Sequence, residues 1–192
     1  MICPSIYAQE ENNMRVIGGI YKRRLLSWPD DAKHIRPTKD RIREAIFSAL
    51  GPLDGLTSLD LYSGSGAMGI ESLSRGCSFA TFVDCNKVAL DTTKNNLSSL
   101  GIKNARIIAK KDVDAITSFI QNQEKFDVLF LDPPYEEGKY EEIINTFISN
   151  DLFNAHAIIV IEANRSVNIP ETWYIKRKDY QYGEVKVIIL WR

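Results

Sequence analysis

Between Thr57 and Glu162 five short apolar runs alternate with four stretches of helical periodicity, and this alternation leaves few folds open to the chain. The runs Thr57–Tyr62, Phe79–Asp84, Ala105–Ala109, Phe126–Leu131 and Ala157–Glu162 have the length of buried strands. Met68–Arg75, Lys87–Leu100, Asp112–Gln121 and Tyr140–Ser149 space their apolar residues as helices do. Strand and helix in strict turn predict an α/β fold whose parallel sheet is covered on both faces. After Glu162 the character changes. Trp173–Tyr180 and Val185–Trp191 read as two strands joined around Gln181-Tyr182-Gly183-Glu184, a hairpin that finishes the sheet with antiparallel neighbours.

Ahead of this unit lies a different kind of chain. Residues 1–13 are polar and without pattern, and are expected to form a loosely attached tail or an extension before Met14. Met14-Arg-Val-Ile-Gly-Gly19 followed by Ile20–Leu26 predicts a short hairpin, and Arg36-Pro37-Thr38 leads into a predicted helix over Lys39–Leu50. There Ile42, Ala45, Ile46, Ala49 and Leu50 recur at helical spacing, Thr38 serves as cap, and Gly51-Pro52 ends the helix. The chain thus divides into a tail (1–13), a basic element (14–50) and a main domain (51–192). From Met14 to Arg43 nine Lys or Arg face three Asp or Glu, whereas Glu44–Arg192 is acidic by fifteen against twenty. Such a segment is a candidate footprint for a polyanion. A solvated face of loop and helix, its arginine stems lying over the core, is the other reading of the same charges.

Composition restricts the setting. With 44% hydrophobic and 26% charged residues in 192, and no apolar run of eighteen, the sequence predicts a globular protein without a membrane span. The start lacks a basic segment and an apolar core, so no secretory signal is expected and the predicted location is the cytoplasm. Cys3, Cys77 and Cys85 are odd in number and lack zinc-ligand spacing, which fits reduced thiols and no metal. His34 and His156 are isolated and receive no role.

Two strand ends carry the chemistry. Leu59-Asp60-Leu61-Tyr62 runs into Ser63-Gly64-Ser65-Gly66-Ala67-Met68-Gly69, a Gly-x-Gly-x-x-Gly turn between a strand and a helix. Its glycines let the backbone approach a nucleotide-like ligand. Asp60 sits badly for a pyrophosphate and well for the cationic methionine part of S-adenosylmethionine. Asp84, twenty residues beyond Gly64, suits the two hydroxyls of a ribose, and Cys85 follows it. Asp112, opening a helix, suits an adenine amino group. A helix cap is the alternative reading of Asp84, and for Asp112 it suits the position as well as ligand contact does. Tyr62, Ser63, Gly64, Ser65 and Gly66 complete the candidate cofactor site. At the second strand end, Phe126–Leu131 stops at Asp132-Pro133-Pro134-Tyr135, where two prolines end the strand and stiffen the backbone beyond it. A carboxylate and a fixed Pro133 carbonyl that accept the hydrogens of an exocyclic nucleobase amine favour the tetrahedral nitrogen of a transfer transition state. Tyr135 offers a face on which a flipped base stacks.

Together these segments resemble the RsmD-type bacterial 16S ribosomal RNA guanine-N2 methyltransferases. The resemblance runs from Met14 to the C-terminus. It rests on Met14-Arg-Val-Ile-Gly-Gly19, Arg36-Pro-Thr-Lys-Asp-Arg-Ile-Arg-Glu-Ala-Ile-Phe47, Leu59–Glu71, Leu73-Ser-Arg-Gly76 and Leu131-Asp-Pro-Pro-Tyr135. Tyr62 and Met68 stand where Phe and Leu are frequent in that family. The resemblance implies a class I, Rossmann-like methyltransferase fold with a seven-stranded sheet, S-adenosylmethionine as cofactor, and a guanine of 16S RNA, within a small-subunit particle, as acceptor. A monomer acting without metal or membrane is expected. The resemblance also turns the basic segment toward RNA, with Arg15, Lys22, Arg23, Arg24, Arg36, Thr38, Arg41 and Arg43 as candidate contacts. The same Asp-Pro-Pro-Tyr serves amino-methyltransferases of adenine N6 or cytosine N4, in DNA or other RNA. A protein glutamine methyltransferase usually has Asn in place of Asp132. A nucleotide-binding module without catalysis and an NAD-dependent oxidoreductase are the readings from other classes.

Overall fold

Seven strands form one sheet in the order β3-β2-β1-β4-β5-β7-β6, parallel from β3 to β5 and antiparallel at β7 and β6. The computed structural model describes residues 14–28, 40–134 and 139–192; Arg36, Thr38, Tyr135 and the tail 1–13 lie outside them. The elements run α1 (Asp40–Leu50), β1 (Thr57–Leu61), α2 (Ala67–Ser74), β2 (Phe79–Asp84), α3 (Lys87–Leu100), β3 (Ala105–Ala109), α4 (Asp112–Gln121), β4 (Phe126–Leu131), α5 (Tyr140–Ser149), β5 (Phe153–Ala163), β6 (Lys176–Tyr182) and β7 (Val185–Trp191). This is the fold class expected from the alternation, with seven strands and an antiparallel end.

Alternate residues of each central strand feed two apolar layers. Ala80, Phe82, Val128, Phe130, Ile158, Val160, Val187 and Ile189 pack with α1, α2 and α3. Leu59, Leu61, Leu129, Leu131, Ile159 and Ile161 face α4 and α5. Strands buried on both faces have little reason to alternate in polarity, which is why β4 reads as a nearly continuous apolar run. Strand order climbs outward from β1 to β3 and then returns to place β4 against the other edge of β1. Connections leave β1 and β4 in opposite directions, and a crevice opens beyond their carboxyl ends. Asp60 and Asp132 belong to those ends.

Three boundaries differ from expectation. β5 begins at Phe153 rather than Ala157, because Phe153 pairs with Phe126 before a register irregularity restores regular pairing at Val128 and Ile158. The predicted strand over Trp173–Tyr180 starts instead at Lys176, after a single 3-10 turn over Glu171–Trp173. It runs on to Tyr182, leaving Gly183, at φ 63°, and Glu184 as a two-residue turn. The N-terminal hairpin is reduced to one bridge, Arg15 with Leu25, and a turn in which Arg23 takes φ 71°.

That arm is nonetheless tied to the main domain. Glu71 of α2 accepts hydrogen bonds from the Ile17 and Gly18 amides at 2.7 and 2.8 Å, and Asn96 of α3 bonds both backbone groups of Ser27. Met14, Val16 and Leu26 share the apolar layer of α1 to α3. No helix among the described residues is long and apolar enough to cross a membrane.

Candidate active site

The glycine turn after β1 is held from three directions. Tyr62 and Ser63 both donate their amides to the Val83 carbonyl, Thr93 Oγ1 donates to the Gly64 carbonyl at 2.9 Å, and Asn96 donates to the Ser65 carbonyl. Tyr62 is forced to φ 71°, a region an ordinary side chain enters only under constraint. The glycines divide their labour. Gly64 and Gly66 take positive φ, and a Cβ on Gly69 would collide with the Phe82 ring, so Gly69 serves the close packing of α2 on β2.

The acids of the candidate cofactor site fall around this turn. Asp60, 4% exposed, accepts the Gly69 amide at 2.9 Å through Oδ2. Burial pushes its carboxyl up to about 7, the Gly69 hydrogen bond opposing and repulsion from Asp84 adding to the shift. Asp84 accepts Gly64 N–H at 2.9 Å with one oxygen and Asn86 N–H at 2.8 Å with the other. Each oxygen keeps a lone pair for a hydroxyl donor. Asp84 is not the helix cap, for Asn86 caps α3 by accepting from Ala89. Asp112 is likewise no cap; it lies in the first turn of α4 and accepts the Tyr62 hydroxyl at 2.7 Å. Cys85 is exposed beside Asp84, and Ser63 and Ser65 are buried in the turn.

Beyond β4, Pro133 is buried, whereas Pro134 and Asp132 are exposed, Asp132 toward a cleft that opens to solvent. The cleft is bounded by Asp60, Tyr62–Ser65 and Met68 on one side, Phe130–Asp132 in the middle, and Val160 and Glu162 on the other, with Met14, Trp28 and Ile46 completing its lining. Crowding by protein, then repulsion from Glu162 and Asp60, pushes the Asp132 carboxyl well above the usual range.

Residues 14–191 match a family model described as "Conserved hypothetical protein 95". The chain is 38% identical to the "Putative rRNA methyltransferase YlbH" of Bacillus subtilis, over 83% of this chain and 87% of that protein. It is 33% identical to the "Ribosomal RNA small subunit methyltransferase D" of Escherichia coli, over 86% and 83%. The chain belongs to the RsmD-type family. A solved structure, "Putative methyltransferase yhhF from Escherichia coli", superposes with a TM-score of 0.80 at 31% identity, covering 94% of this chain and 98% of the other. Methyltransferases only 15% to 18% identical, with TM-scores of 0.65 to 0.68, include complexes with S-adenosylmethionine or S-adenosylhomocysteine, and show a shared fold alone.

The donor set fits that cofactor. A cleft lined by three carboxylates and, among the described residues, by no lysine, arginine or histidine suits a ligand that brings a positive charge and hydroxyl donors. Asp60, Tyr62–Gly66 and Asp84 gather around it; Asp112 is joined to it through Tyr62.

The candidate RNA contacts divide. Arg15, Lys22, Arg23, Arg24 and Arg41 are exposed. Arg43 is not, and its expected place on the surface is corrected: it is 0% exposed, donating Nη2 to the Arg15 carbonyl at 2.6 Å and to Asp40 at 2.9 Å. It closes the arm onto α1. The signal was in the sequence, since Ile46, Phe47 and Leu50 lie three, four and seven residues on and place Arg43 on the apolar stripe. Glu162 was the residue missed. The sequence predicts it as the last position of a strand, although an acid closing the run Ile158–Ile161 is out of keeping with a purely structural strand.

Proposed function

We propose that the chain transfers the methyl group of S-adenosylmethionine to the N2 amine of a guanine in 16S ribosomal RNA. The observation that carries this is the placement of Asp60 and Asp132 on neighbouring strands at the crevice between β1 and β4, above a glycine turn built for a nucleoside. The cofactor supplies a methyl group on a sulfonium, a good leaving group, so the protein's task is alignment. Asp60 faces the cationic end and Asp84 the ribose hydroxyls. Tyr62 fixes one oxygen of Asp112 and leaves the other for the adenine amine.

Asp132 and the Pro133 carbonyl take the two hydrogens of the acceptor amine and turn its lone pair toward the methyl group. The positive charge of the bound cofactor favours the ionised form of Asp132 against burial and the neighbouring acids, and as an acceptor its main role is orientation; the product ammonium is acidic enough to lose its proton to water. Tyr135 supplies a stacking face for the flipped base. Family membership favours ribosomal RNA, and with it guanine over the adenine and cytosine acceptors that the same four residues serve. Arg15, Lys22, Arg23, Arg24, Arg36, Thr38 and Arg41 hold the RNA backbone, with the chain acting as a monomer on a small-subunit particle.

The test is mass spectrometry of nucleosides from 16S RNA, naked and in small-subunit particles, after incubation with protein and isotope-labelled cofactor. Labelled N2-methylguanosine is expected. Labelled N6-methyladenosine or N4-methylcytidine in its place refutes the guanine assignment.

A further inference from the structure

An amine-binding carboxylate does not choose its base. Asp132 serves the exocyclic amines of guanine, adenine and cytosine alike. The three differ at the ring nitrogen beside the amine: guanine N1 carries a hydrogen, whereas adenine N1 and cytosine N3 present lone pairs. A group that reads that nitrogen therefore decides among them.

Glu162 stands at the matching place. Leu131 of β4 pairs with Ile161 of β5, so Asp132 and Glu162 are the next residues outward on adjacent strands, about 4.8 Å apart in the sheet. Side-chain alternation puts Glu162 on the face of Ile158 and Val160, and Asp132 on that of Phe130, which is one and the same layer. Both line the cleft. Glu162 is 9% exposed, and at that depth an N–H donor brought by a ligand counts for more than it would in water. Its charge contributes to the raised Asp132 carboxyl, so the two acids feel each other across the place where a base edge enters.

We propose that Glu162 selects guanine, accepting the N1–H of the base whose N2 amine Asp132 accepts. The assignment rests on the guanine reading above. Adenine or cytosine in the same pose sets a ring lone pair against the Glu162 carboxylate, so that two acceptors face each other in a partly dehydrated site. Two carboxylates side by side thus match a purine edge that offers adjacent N–H donors, and the choice that Asp132-Pro-Pro-Tyr135 leaves open is made one strand away.

The test replaces the guanine mapped by nucleoside analysis with 2-aminopurine, in ligated 16S RNA reconstituted into particles. This base keeps the N2 amine and carries a lone pair at N1. It also lacks O6, so the readout is the change in base preference between wild type and variant. Wild type is expected to favour guanine by roughly a hundredfold or more in kcat/KM. Glu162→Gln, whose amide accepts from N1–H only as a neutral group and can turn to donate to a ring lone pair, is expected to lower guanine activity and to narrow the ratio by about tenfold or more, with cofactor affinity and Tm near wild type. Glu162→Ala loses guanine activity without gaining 2-aminopurine. Equal losses on both bases in Glu162→Gln, or an undiminished guanine rate, overturn the assignment. If wild type produces no N2-methylguanosine at all, the functional reading falls first and this assignment with it; if it does and the ratio stays fixed, only this assignment falls.

Discussion

The cleft and the N-terminal arm hold opposite charges in opposite surroundings. Asp60 and Glu162 are buried, and with Asp132 they crowd the carboxyl ends of β1, β4 and β5, where their carboxyls feel one another. Arg15, Lys22, Arg23, Arg24 and Arg41 stand in water, and Arg15 is shared with Asp40 at 3.1 Å. Buried acids are tuned one by one, so each has its own consequence for pH, affinity or rate. Exposed cations act through their summed field and replace one another. Arg43 belongs with the first group although its charge suggests the second: burial pulls its guanidinium pKa down against the opposing pull of Asp40 and Glu71.

The sharpest way to break this comparison is to mutate both sides of it within α1. Arg43→Ala is expected to cost about 3 kcal/mol of stability, since it removes the buried tie between the Arg15 carbonyl and Asp40 and leaves a void beneath the arm. Arg41→Ala, two residues earlier on the exposed side, is expected to leave stability within about 0.5 kcal/mol. Urea denaturation of the two variants measures the contrast, and comparable losses would place both arginines in one environment.

Asp60 offers an effect with a defined pH dependence. Its folded pKa of about 7 lies above the ordinary value of 3.8, so the folded protein holds a proton that the unfolded chain releases. This contribution is present below pH 4 and is lost as pH rises through 7. Asp60→Asn retains an acceptor for the Gly69 amide and is expected to be roughly 4 kcal/mol more stable than wild type at pH 8, with no advantage at pH 4. The same ionisation attracts a cation. Calorimetry is expected to show S-adenosylmethionine binding several-fold tighter at pH 8 than at pH 6, while neutral-sulfur S-adenosylhomocysteine changes little. Parallel pH profiles for the two would separate Asp60 from the sulfonium.

The arm gives the mildest effects. Replacing Lys22, Arg23 and Arg24 together by Gln is expected to weaken 16S RNA binding by about tenfold in low salt, and to reduce the salt dependence of log K by about 0.7 to 0.9 for each phosphate no longer neutralised. An unchanged salt slope in a filter-binding titration moves the RNA footprint elsewhere.

How far each element was legible in the sequence depends on its physics. A strand covered on both faces reads as a nearly unbroken apolar run, as β4 does, while β2, β3 and β7 are shorter apolar clusters delimited by the polar or turn residues that flank them; all four could be delimited residue by residue. The start of β5 could not, because Asn154, Ala155 and His156 are exposed and carry no apolar signature. The glycine turn and its acids were legible as types at strand ends, but not in their partners: only the structure places Tyr62 on Asp112 and Gly69 on Asp60. Arg43 was read from its charge, while the apolar residues at helical spacing from it decide its burial. Glu162 was hidden for the reverse reason, since its neighbour in space is Asp132, thirty residues away in the chain and brought alongside only by the β4–β5 register.

The difference between cleft and arm comes down to whether chemistry and grip can be separated. The direct measurement is the single-turnover rate of methyl transfer to 16S RNA in small-subunit particles, with protein and cofactor saturating, for Asp132→Asn and for the Lys22, Arg23 and Arg24 triple Gln variant. Asp132→Asn is expected to lose roughly a hundredfold or more in rate while its affinities for RNA and cofactor stay within a few-fold of wild type, and the triple variant to keep the wild-type rate once saturated. A full rate in Asp132→Asn, with normal binding, contradicts the role given to the carboxylate at the end of β4.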